Sequence, residues 1–350
     1  MAASSPFPSM RRFLSSAAVA LFVLCNYDSI LQLNSDSRRL STAHNIHQQH
    51  SDDLKALYKA DGFHHISRDY GLMYVHIPKT GGSTVEYSSV FEEKRTLGGT
   101  VPRSHHSVRK LRQSPSLQPD DYTVATHIRD PCERFVSAFH YVRFDNRSVG
   151  FRPEIERFGL FNHTSIESAV SWLDETDQWA KLKRRIFHFK DMLNWVLLED
   201  PVSGDHSFGV DVVMCQDQWT EGVHRLFDQL GIQAVPDDLF ERKLAATDVS
   251  ISNGSTQQER QQMTARSKNK KCQSLPRETR VKIFDAYAMD SCVFGYGRYG
   301  VGKFAIEGRD NTVTGQQRCI GSQFDREWFT KRYHFCRETL KKDVGELKGR

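Results

Sequence analysis

The chain has 350 residues and a formal net charge of +5, and 38% of its residues are hydrophobic. This length and hydrophobic content suffice for one large globular domain with a sizeable core, so a disordered chain is excluded. The small excess of positive charge also excludes a general nucleic-acid-binding protein, and no nucleic-acid partner is expected.

The first predicted element is a targeting segment. Residues Met1–Tyr27 contain no acidic side chain, carry Arg11 and Arg12, and include an apolar run from Phe13 to Cys25. This run is short for a transmembrane helix, so a signal-anchor, a cleavable signal peptide and a Ser-rich organellar transit peptide are all compatible with it. The two arginines favour a cytoplasmic N-terminus, and the lack of a small-x-small site close behind the apolar core favours the anchor. We therefore predict a cytoplasmic tail and signal-anchor, or a signal peptide, over residues 1–33.

The next segment and several scattered residues favour the secretory route. Residues 34–67 are polar and rich in His and Ser, which is typical of a stem. Glycosylation triplets begin at Asn146, Asn162 and Asn253. Cysteines beyond the targeting segment form an even set that can pair in an oxidising lumen, with a connectivity that the sequence leaves open: Cys132, Cys215, Cys272, Cys292, Cys319 and Cys336. We therefore expect a glycoprotein with disulfide bonds.

The first strand and helix enclose a phosphate-binding pattern. The apolar run Leu72–Ile77 predicts a buried strand, and Ser83–Lys94 predicts a helix. Between them lies HIPKTGGST, whose two glycines permit a tight turn with main-chain N–H groups close to an anion. The candidate ligands are Lys79, Thr80, Gly81, Gly82, Ser83 and Thr84. Because Lys79 precedes both glycines, whereas a Walker A lysine follows them, a nucleotide-dependent kinase is disfavoured.

A second phosphate-binding pattern follows. Tyr122–Ile128 predicts another buried strand, and Pro131–Phe144 predicts the helix after it. The candidate ligands here are Arg129, Arg134 and Ser137. Arginine offers bidentate donors to an oxyanion, and Ser137, one turn beyond Arg134, adds a hydroxyl on the same helix face. Two separate anion sites predict a ligand with phosphates at two places, such as a nucleotide bisphosphate.

The remaining elements continue the alternation of strand and helix. A third strand is predicted at Val210–Cys215. Further helices are predicted at Ile166–Leu173, Asp177–Leu198, Gln218–Leu230 and Pro276–Ala288. This order predicts an α/β fold with a central, mainly parallel sheet flanked by helices.

The two phosphate-binding patterns together resemble the 5′-phosphosulfate loop and the 3′-phosphate motif of sulfotransferases that use 3′-phosphoadenosine 5′-phosphosulfate (PAPS), particularly the membrane-bound Golgi carbohydrate sulfotransferases. The resemblance covers roughly Gly71 to Gly300 and ends in a segment similar to that family's closing helix, Phe284–Gly297. It implies a P-loop-like sulfotransferase fold over residues 68–305, with a C-terminal extension at 306–350 that packs on the domain. It further implies PAPS as donor substrate and a reaction that needs no metal.

The resemblance also implies catalytic roles. Lys79 is expected to face the bridging oxygen of the S–O bond that breaks. His105 is the first choice for the base, because similar sulfotransferases carry a His followed two residues later by Ser or Thr, and because an imidazole titrates near neutrality. His106 is its rival. Glu92 or Glu93 is the second option, since some related enzymes use a carboxylate after the loop helix.

The pattern of charged residues is the one feature of the sequence that bears on the acceptor. Basic clusters lie at residues 109–112, 181–185 and 268–271, and each is either a solvated face or part of a groove for an acidic or sulfated glycan. The leading hypothesis is a single-pass type II Golgi membrane enzyme whose lumenal domain sulfates a carbohydrate hydroxyl. The alternatives are a protein-tyrosine or small-molecule sulfotransferase and a non-catalytic secretory protein that binds PAPS. No pattern indicates the acceptor sugar, the hydroxyl position or the oligomeric state.

Overall fold

The computed structural model describes residues 66–67, 70–86, 90, 105–113, 121–144, 156, 158–232, 271–297 and 325–348. All of them belong to one compact unit, Asp61–Arg350. The predicted targeting segment, nearly all of the stem, Glu92 and Glu93 lie outside the described residues. Within the described ranges, no helix combines the length and the apolar content that a bilayer span requires.

Two sheets contain the strands of the described residues. In chain order these are β1 (Ile66–Ser67), β2 (Leu72–Val75), β3 (Thr123–Ile128), β4 (Leu197–Glu199), β5 (His206–Phe208) and β6 (Val212–Cys215). The main sheet has the order β1-β2-β3-β6. In it β3 pairs in parallel with β2 and β6, while β1 adds an antiparallel edge. β4 and β5 form a separate antiparallel pair. The predicted α/β fold with a mainly parallel sheet is confirmed.

Helices surround the main sheet. They are α1 (Gly82–Glu86), α2 (Val108–Arg112), α3 (Pro131–Phe144), α4 (Ile166–Glu175), α5 (Trp179–Arg185), α6 (Leu193–Val196), α7 (Trp219–Gln229), α8 (Arg277–Ala286), α9 (Ala288–Phe294) and α10 (Arg326–Lys348). α3 has the bounds predicted for it, and α4, α7 and α8 lie close to theirs. α2 and α10 were not predicted.

Both faces of the main sheet are covered, which explains why its parallel strands are buried along most of their length. On one face, Met73, Val75 and Val124 join a cluster with residues of α2, α6, α9 and α10. The alternate residues Tyr74 and Ala125 join a second cluster with the apolar side of α7. A third cluster packs α3, α4, α5 and α8 together. With its faces covered, the sheet can receive a ligand at the ends of its strands.

The single helix predicted over Asp177–Leu198 is wrong. The structure divides this stretch into α5, a 3-10 turn at Phe187–Phe189, α6 and the start of β4. No proline or glycine interrupts it, so the break has a tertiary cause. The Tyr287 hydroxyl donates to the Phe189 carbonyl at 2.8 Å, and Asp290 accepts two main-chain N–H groups at the start of α6. These hydrogen bonds outweigh the local preference for helix.

Disulfide bonds fasten two parts of the domain. Cys132 is bonded to Cys272, which joins the start of α3 to the segment before α8. Cys292 is bonded to Cys336, which joins α9 to α10. Cys215 is disulfide-bonded as well. The expectation of disulfide bonds is thus confirmed for the first two pairs.

Candidate active site

The carboxyl ends of three parallel strands meet at one edge of the main sheet, where an open α/β sheet usually binds its ligand. β2 leads into the loop that begins at His76, β3 leads into Arg129, and β6 leads into Gln216. The fold therefore brings the two phosphate-binding patterns to the same edge.

The turn at Gly81 and Gly82 packs closely against this edge. Gly81 has a φ of +96°, in the region that favours glycine. A Cβ on Gly81 would lie 2.1 Å from Oε1 of Gln216, and one on Gly82 would lie 2.3 Å from the His76 ring. The same Oε1 is buried and has no hydrogen-bond partner in the described part of the chain. Gly81 is thus required by its backbone conformation, and Gly82 by the space that the His76 ring and the Tyr74 hydroxyl occupy.

Lys79 occupies a strained position in the same loop. Its φ of +69° is in the left-handed region, which costs a lysine about 1–2 kcal/mol. Its ammonium lies 4.1 Å from the centroid of the Tyr141 ring on α3, a cation–π contact. Backbone strain of this kind is concentrated at functional sites, which makes Lys79 a candidate for the chemistry.

The remaining loop residues shape the turn. Thr80 is buried, and its hydroxyl donates to the Ile77 carbonyl at 2.8 Å. The main-chain N–H of Thr84 donates to the Gly81 carbonyl at 3.1 Å. The side chains of Ser83 and Thr84 are half-buried at the start of α1. The Thr80 hydroxyl is therefore used inside the loop, so a ligand of Thr80 would bind its main chain.

Arg129, which belongs to the second pattern, contacts the loop of the first. Its Nη1 donates to the Lys79 carbonyl at 3.4 Å, and its Nη2 donates to the Glu133 carboxylate, also at 3.4 Å. Glu133 in turn accepts the main-chain N–H of Cys272 at 2.9 Å. Burial lowers the pKa of the Arg129 guanidinium, whereas the carboxylates of Glu133 and Asp130 act in the opposite direction. The side chain keeps 28% exposure, so it is held by partners and still faces solvent.

Arg134 is placed differently. It is 1% exposed, and its Nε donates to the Pro78 carbonyl at 3.0 Å. Its Nη2 donates to the carbonyls of His188 and Lys190 at 3.2 and 2.6 Å. The guanidinium thus donates hydrogen bonds to main-chain carbonyls in the interior. This does not fit the expectation that it binds a phosphate. Ser137, one turn further along α3, is half-buried.

His105 lies against the loop that carries Lys79. Its Nδ1 is 3.1 Å from the main-chain oxygen of His76. Because a carbonyl oxygen only accepts, Nδ1 carries a proton, and the lone pair of the neutral ring is on Nε2. The ring meets His76 edge-on with 4.4 Å between centroids and lies 5.2 Å from Phe187. This fixed tautomer suits a base. His106 is half-buried beside it.

Both histidines line a cleft of about 1080 Å³. The other lining residues are Ser107, Lys110, Asp177, Trp179, Ala180, Lys183, Arg184, Lys190, Asp191, Asn194, Trp195 and Ala286. Four of them are cations and two are carboxylates, so the cleft favours an anionic ligand. Its volume is slightly above the usual range of about 300–1,000 Å³ for small-molecule sites.

The cations of the cleft differ in their surroundings. Lys183 is bound within the fold, because its ammonium is 2.6 Å from Asp191 and 4.3 Å from the centroid of the Tyr287 ring. Arg184, its neighbour on α5, is exposed, and so is Lys110 on α2. The basic cluster predicted at this point of the sequence therefore contains a structural lysine beside an arginine that faces solvent.

Sequence reasoning missed three residues near Lys79 and His105, namely Tyr141, His188 and Gln216. The rings of Tyr141 and His188 are 4.8 Å apart. Burial, and after it the charge of Lys79, lowers the pKa of His188 to about 2, so this imidazole is neutral. Gln216 could have been found, because it directly follows the predicted third strand. No local feature of the sequence predicts where His188 lies, because its position depends on the break between α5 and α6.

A carboxylate oxygen of Asp130 and the sulfur atoms of Cys132 and Cys272 lie within 4.8 Å of one another. Both sulfur atoms belong to the disulfide bond, so neither is a thiolate ligand for a metal. Asp130 instead caps α3, where it accepts the N–H groups of Cys132 and Glu133 at 2.8 and 2.9 Å. Burial raises the pKa of Asp130 to about 6.

A family model described as "Sulfotransferase family" matches residues 64–297. The match begins just before β1, contains both phosphate-binding patterns and ends just after α9. Comparison with curated proteins and with solved structures found no significant match.

Proposed function

Because the chain belongs to the sulfotransferase family and is a sulfotransferase, we propose that it transfers the sulfuryl group of PAPS to a carbohydrate hydroxyl in the Golgi lumen. The observation that carries this proposal is the contact between Arg129 and the Lys79 loop at one sheet edge. There, Nη1 of Arg129 lies 3.4 Å from the carbonyl oxygen of Lys79. One side offers an ammonium and main-chain N–H groups, and the other offers a guanidinium. This pairing suits a donor that carries anionic groups at two places.

The residues of this edge fit PAPS as donor substrate. We assign the phosphosulfate end to Lys79 and to the main chain and hydroxyls of the loop, Thr80, Gly81, Gly82, Ser83 and Thr84. We assign the 3′-phosphate to Arg129 and Ser137. When bound, PAPS supplies the sulfuryl group and a phosphate leaving group whose negative charge grows as the S–O bond breaks. The Lys79 ammonium is the full positive charge of this loop and neutralises that growing charge.

His105 is the proposed base. Its Nε2 takes the proton of the acceptor hydroxyl while the hydroxyl oxygen forms the new S–O bond. The hydrogen bond from Nδ1 to His76 keeps the ring in the required tautomer throughout. His188, 6.4 Å away and neutral because of its burial, adds no charge beside the base. His106 stays the alternative within the cleft, and Glu92 and Glu93 stay alternatives outside the described residues.

The cleft beside His105 is the proposed acceptor site. Its cations outnumber its carboxylates, and the exposed side chains of Arg184 and Lys110 are able to pair with anionic groups of an acceptor. The half-buried Trp179 adds an aromatic surface on which a sugar ring can pack. An acidic carbohydrate, with carboxylate or sulfate groups, therefore suits this cleft better than a neutral one.

We further propose a single-pass type II Golgi membrane protein with a lumenal catalytic domain. The predicted segment at residues 1–33 supports this, as do the disulfide bonds, which persist in oxidising compartments. Asn162 is exposed and therefore accessible to glycosylation. In secretory cells, Asn162→Gln should remove one glycan, visible as a mobility difference that disappears after enzymatic deglycosylation. Cytosolic protein with reduced cysteines would contradict the proposal.

A transfer assay with the full-length chain, purified in detergent, tests the activity. Radiolabelled PAPS is offered with acidic glycans, neutral glycans, tyrosine-containing peptides and phenols, and labelled acidic glycan is the expected product. Labelled peptide or phenol would instead assign a protein-tyrosine or small-molecule acceptor. Binding of adenosine 3′,5′-bisphosphate (PAP) without any product would indicate a non-catalytic protein, and absence of both would refute the donor assignment.

A further inference from the structure

Arg134 connects two segments of the proposed reaction site. Its side chain is 1% exposed. Nε donates to the carbonyl of Pro78 at 3.0 Å, in the loop after β2. Nη2 donates to the carbonyls of His188 and Lys190 at 3.2 and 2.6 Å, in the segment between α5 and α6. One guanidinium thus ties together two parts of the chain that are far apart in sequence.

Both segments carry residues of the proposed chemistry. Pro78 directly precedes Lys79, whose backbone has the strained φ of +69°. In the other segment, the Phe187 ring lies 5.2 Å from the His105 ring, and Lys190 lines the acceptor cleft. A displacement of the buried guanidinium would therefore move the donor loop and the acceptor wall relative to each other.

The acceptor segment has further attachments on the side of α8 and α9. The Tyr287 hydroxyl donates to the carbonyl of Phe189 at 2.8 Å. Asp290, which is fully buried, accepts two main-chain N–H groups at the start of α6 at 2.6 and 3.0 Å. These contacts hold the segment to the domain, whereas Arg134 links it to the loop that carries the reacting lysine.

We propose that Arg134 is a positioning residue for sulfuryl transfer, which fixes the Lys79 loop relative to the acceptor wall and does not bind the donor phosphate. The inference rests on the proposed function, since a reaction between two substrates needs the two sites in a fixed relation. The planar guanidinium donates to both segments from different nitrogen atoms. A lysine at this position keeps the charge but has a single ammonium, which cannot reproduce that fork.

Arg134→Lys is the test variant, and Arg332→Lys is the matched control. Arg332 is 8% exposed, and its Nε and Nη2 donate to the Cys292 carbonyl at 3.2 and 3.1 Å. It is thus also a buried arginine that donates hydrogen bonds to the main chain. It ties α10 to α9, whereas Arg134 ties the Lys79 loop to the segment between α5 and α6. The measurements on the full-length protein are PAP affinity by calorimetry, kcat and acceptor KM at saturating PAPS, and the melting temperature.

Arg134→Lys is expected to lower kcat by about tenfold to a hundredfold and to raise the acceptor KM, because small misplacements of reacting groups have effects of this size. Its PAP affinity should stay within about threefold of the wild type, since Arg134 is proposed not to contact the donor. Arg332→Lys should lower the melting temperature with kcat within about twofold of the wild type.

Two results would overturn the proposal. A loss of PAP affinity with unchanged kcat at saturating donor would make Arg134 a phosphate ligand. A similar loss of kcat in both variants would make its role merely structural. Wild-type protein that binds PAP but sulfates no acceptor refutes the proposed function itself, which is a separate outcome.

A second measurement needs no variant and covers the case in which Arg134→Lys fails to fold. Amide hydrogen exchange of the wild-type protein is compared with and without PAP. If Arg134 couples the two segments, PAP should slow exchange both in the loop at 76–82 and in the segment at 186–190. Slower exchange confined to the loop would overturn the proposal.

Discussion

Arg129 donates a hydrogen bond to the main-chain carbonyl of Lys79 at 3.4 Å, although the two residues are 50 positions apart in the chain. The parallel pairing of β2 and β3 makes this contact, because it places the carboxyl ends of both strands side by side. The loop that carries the lysine and the start of the helix that follows the arginine therefore lie next to each other. A donor bound to both phosphate-binding patterns would span this contact.

Lys79→Ala should lower kcat by about a hundredfold to a thousandfold, because it removes the charge that stabilises the departing phosphate. Single-turnover assays at saturating PAPS measure this loss. Tyr141→Phe is the matched control: it keeps the aromatic ring 4.1 Å from the Lys79 ammonium and should leave kcat within about threefold of the wild type. Wild-type turnover in Lys79→Ala would exclude the lysine from the chemistry.

His105→Ala should lower kcat by about a hundredfold to ten-thousandfold, which is the usual contribution of a general base. The rise of kcat/KM with pH, which reports deprotonation of the base, should disappear in this variant. His106→Ala serves as the control, because His106 lines the same cleft and should retain most of the activity. If the losses are reversed between the two variants, His106 is the base.

Asp130→Asn should change how stability depends on pH. Burial raises the pKa of Asp130 to about 6 in the folded protein, so the folded state holds its proton more tightly than the unfolded state does. The contribution of the protonated Asp130 carboxyl to the free energy of unfolding is complete below about pH 4 and is lost as pH rises to about 6. Asparagine is also a good helix cap and carries no charge. The melting temperature of the variant, relative to the wild type, should therefore increase between pH 4 and pH 7, and a constant difference would contradict the shift.

The two described disulfide bonds should differ in what they support. Removing Cys132–Cys272 should weaken PAP binding, because Cys272 holds Glu133, which in turn holds Arg129. Removing Cys292–Cys336 should lower stability and leave PAP affinity unchanged. Chain-entropy arguments give each bond at most about 4–5 kcal/mol of stability. Double Cys→Ser variants, compared by calorimetry and thermal unfolding, check this, and equal PAP affinity in both would contradict the link to Arg129.

Arg184→Ala should raise KM for an acidic acceptor by about threefold to tenfold with little change in kcat, because the arginine lines the cleft but does not take part in the chemistry. Arg185→Ala is the matched control, since Arg185 is its exposed neighbour on α5 and is not part of the cleft lining. The difference between the variants should shrink in high salt. Equal effects of both substitutions would mean that the helix attracts the acceptor only by its overall charge.

The central sheet and its loops were predictable because their signals are local. Apolar runs mark β2, β3 and β6, and Pro131 starts α3 where the sequence places it. Since parallel strands expose their carboxyl ends at one edge, the meeting of Lys79 and Arg129 follows from the order of elements alone.

The roles of individual side chains were not predictable in the same way. Arg129 and Arg134 are the same residue type, five positions apart in one motif, yet one keeps solvent access and the other is buried. What separates them is the position of the carbonyls of Pro78, His188 and Lys190, which are distant in sequence. Other tertiary hydrogen bonds, those of Tyr287 and Asp290, broke the predicted long helix, so both misses have the same kind of physical cause.

Consecutive carbonyls of the loop, those of Pro78 and Lys79, are each held by an arginine from the beginning of α3 or just before it. These two hydrogen bonds tie the loop backbone to the start of α3, so opening of the loop at this point requires that both break. Release of the spent nucleotide would then proceed by rearrangement of side chains around a stationary backbone, and the off-rate of PAP would depend on those side chains more than on loop opening.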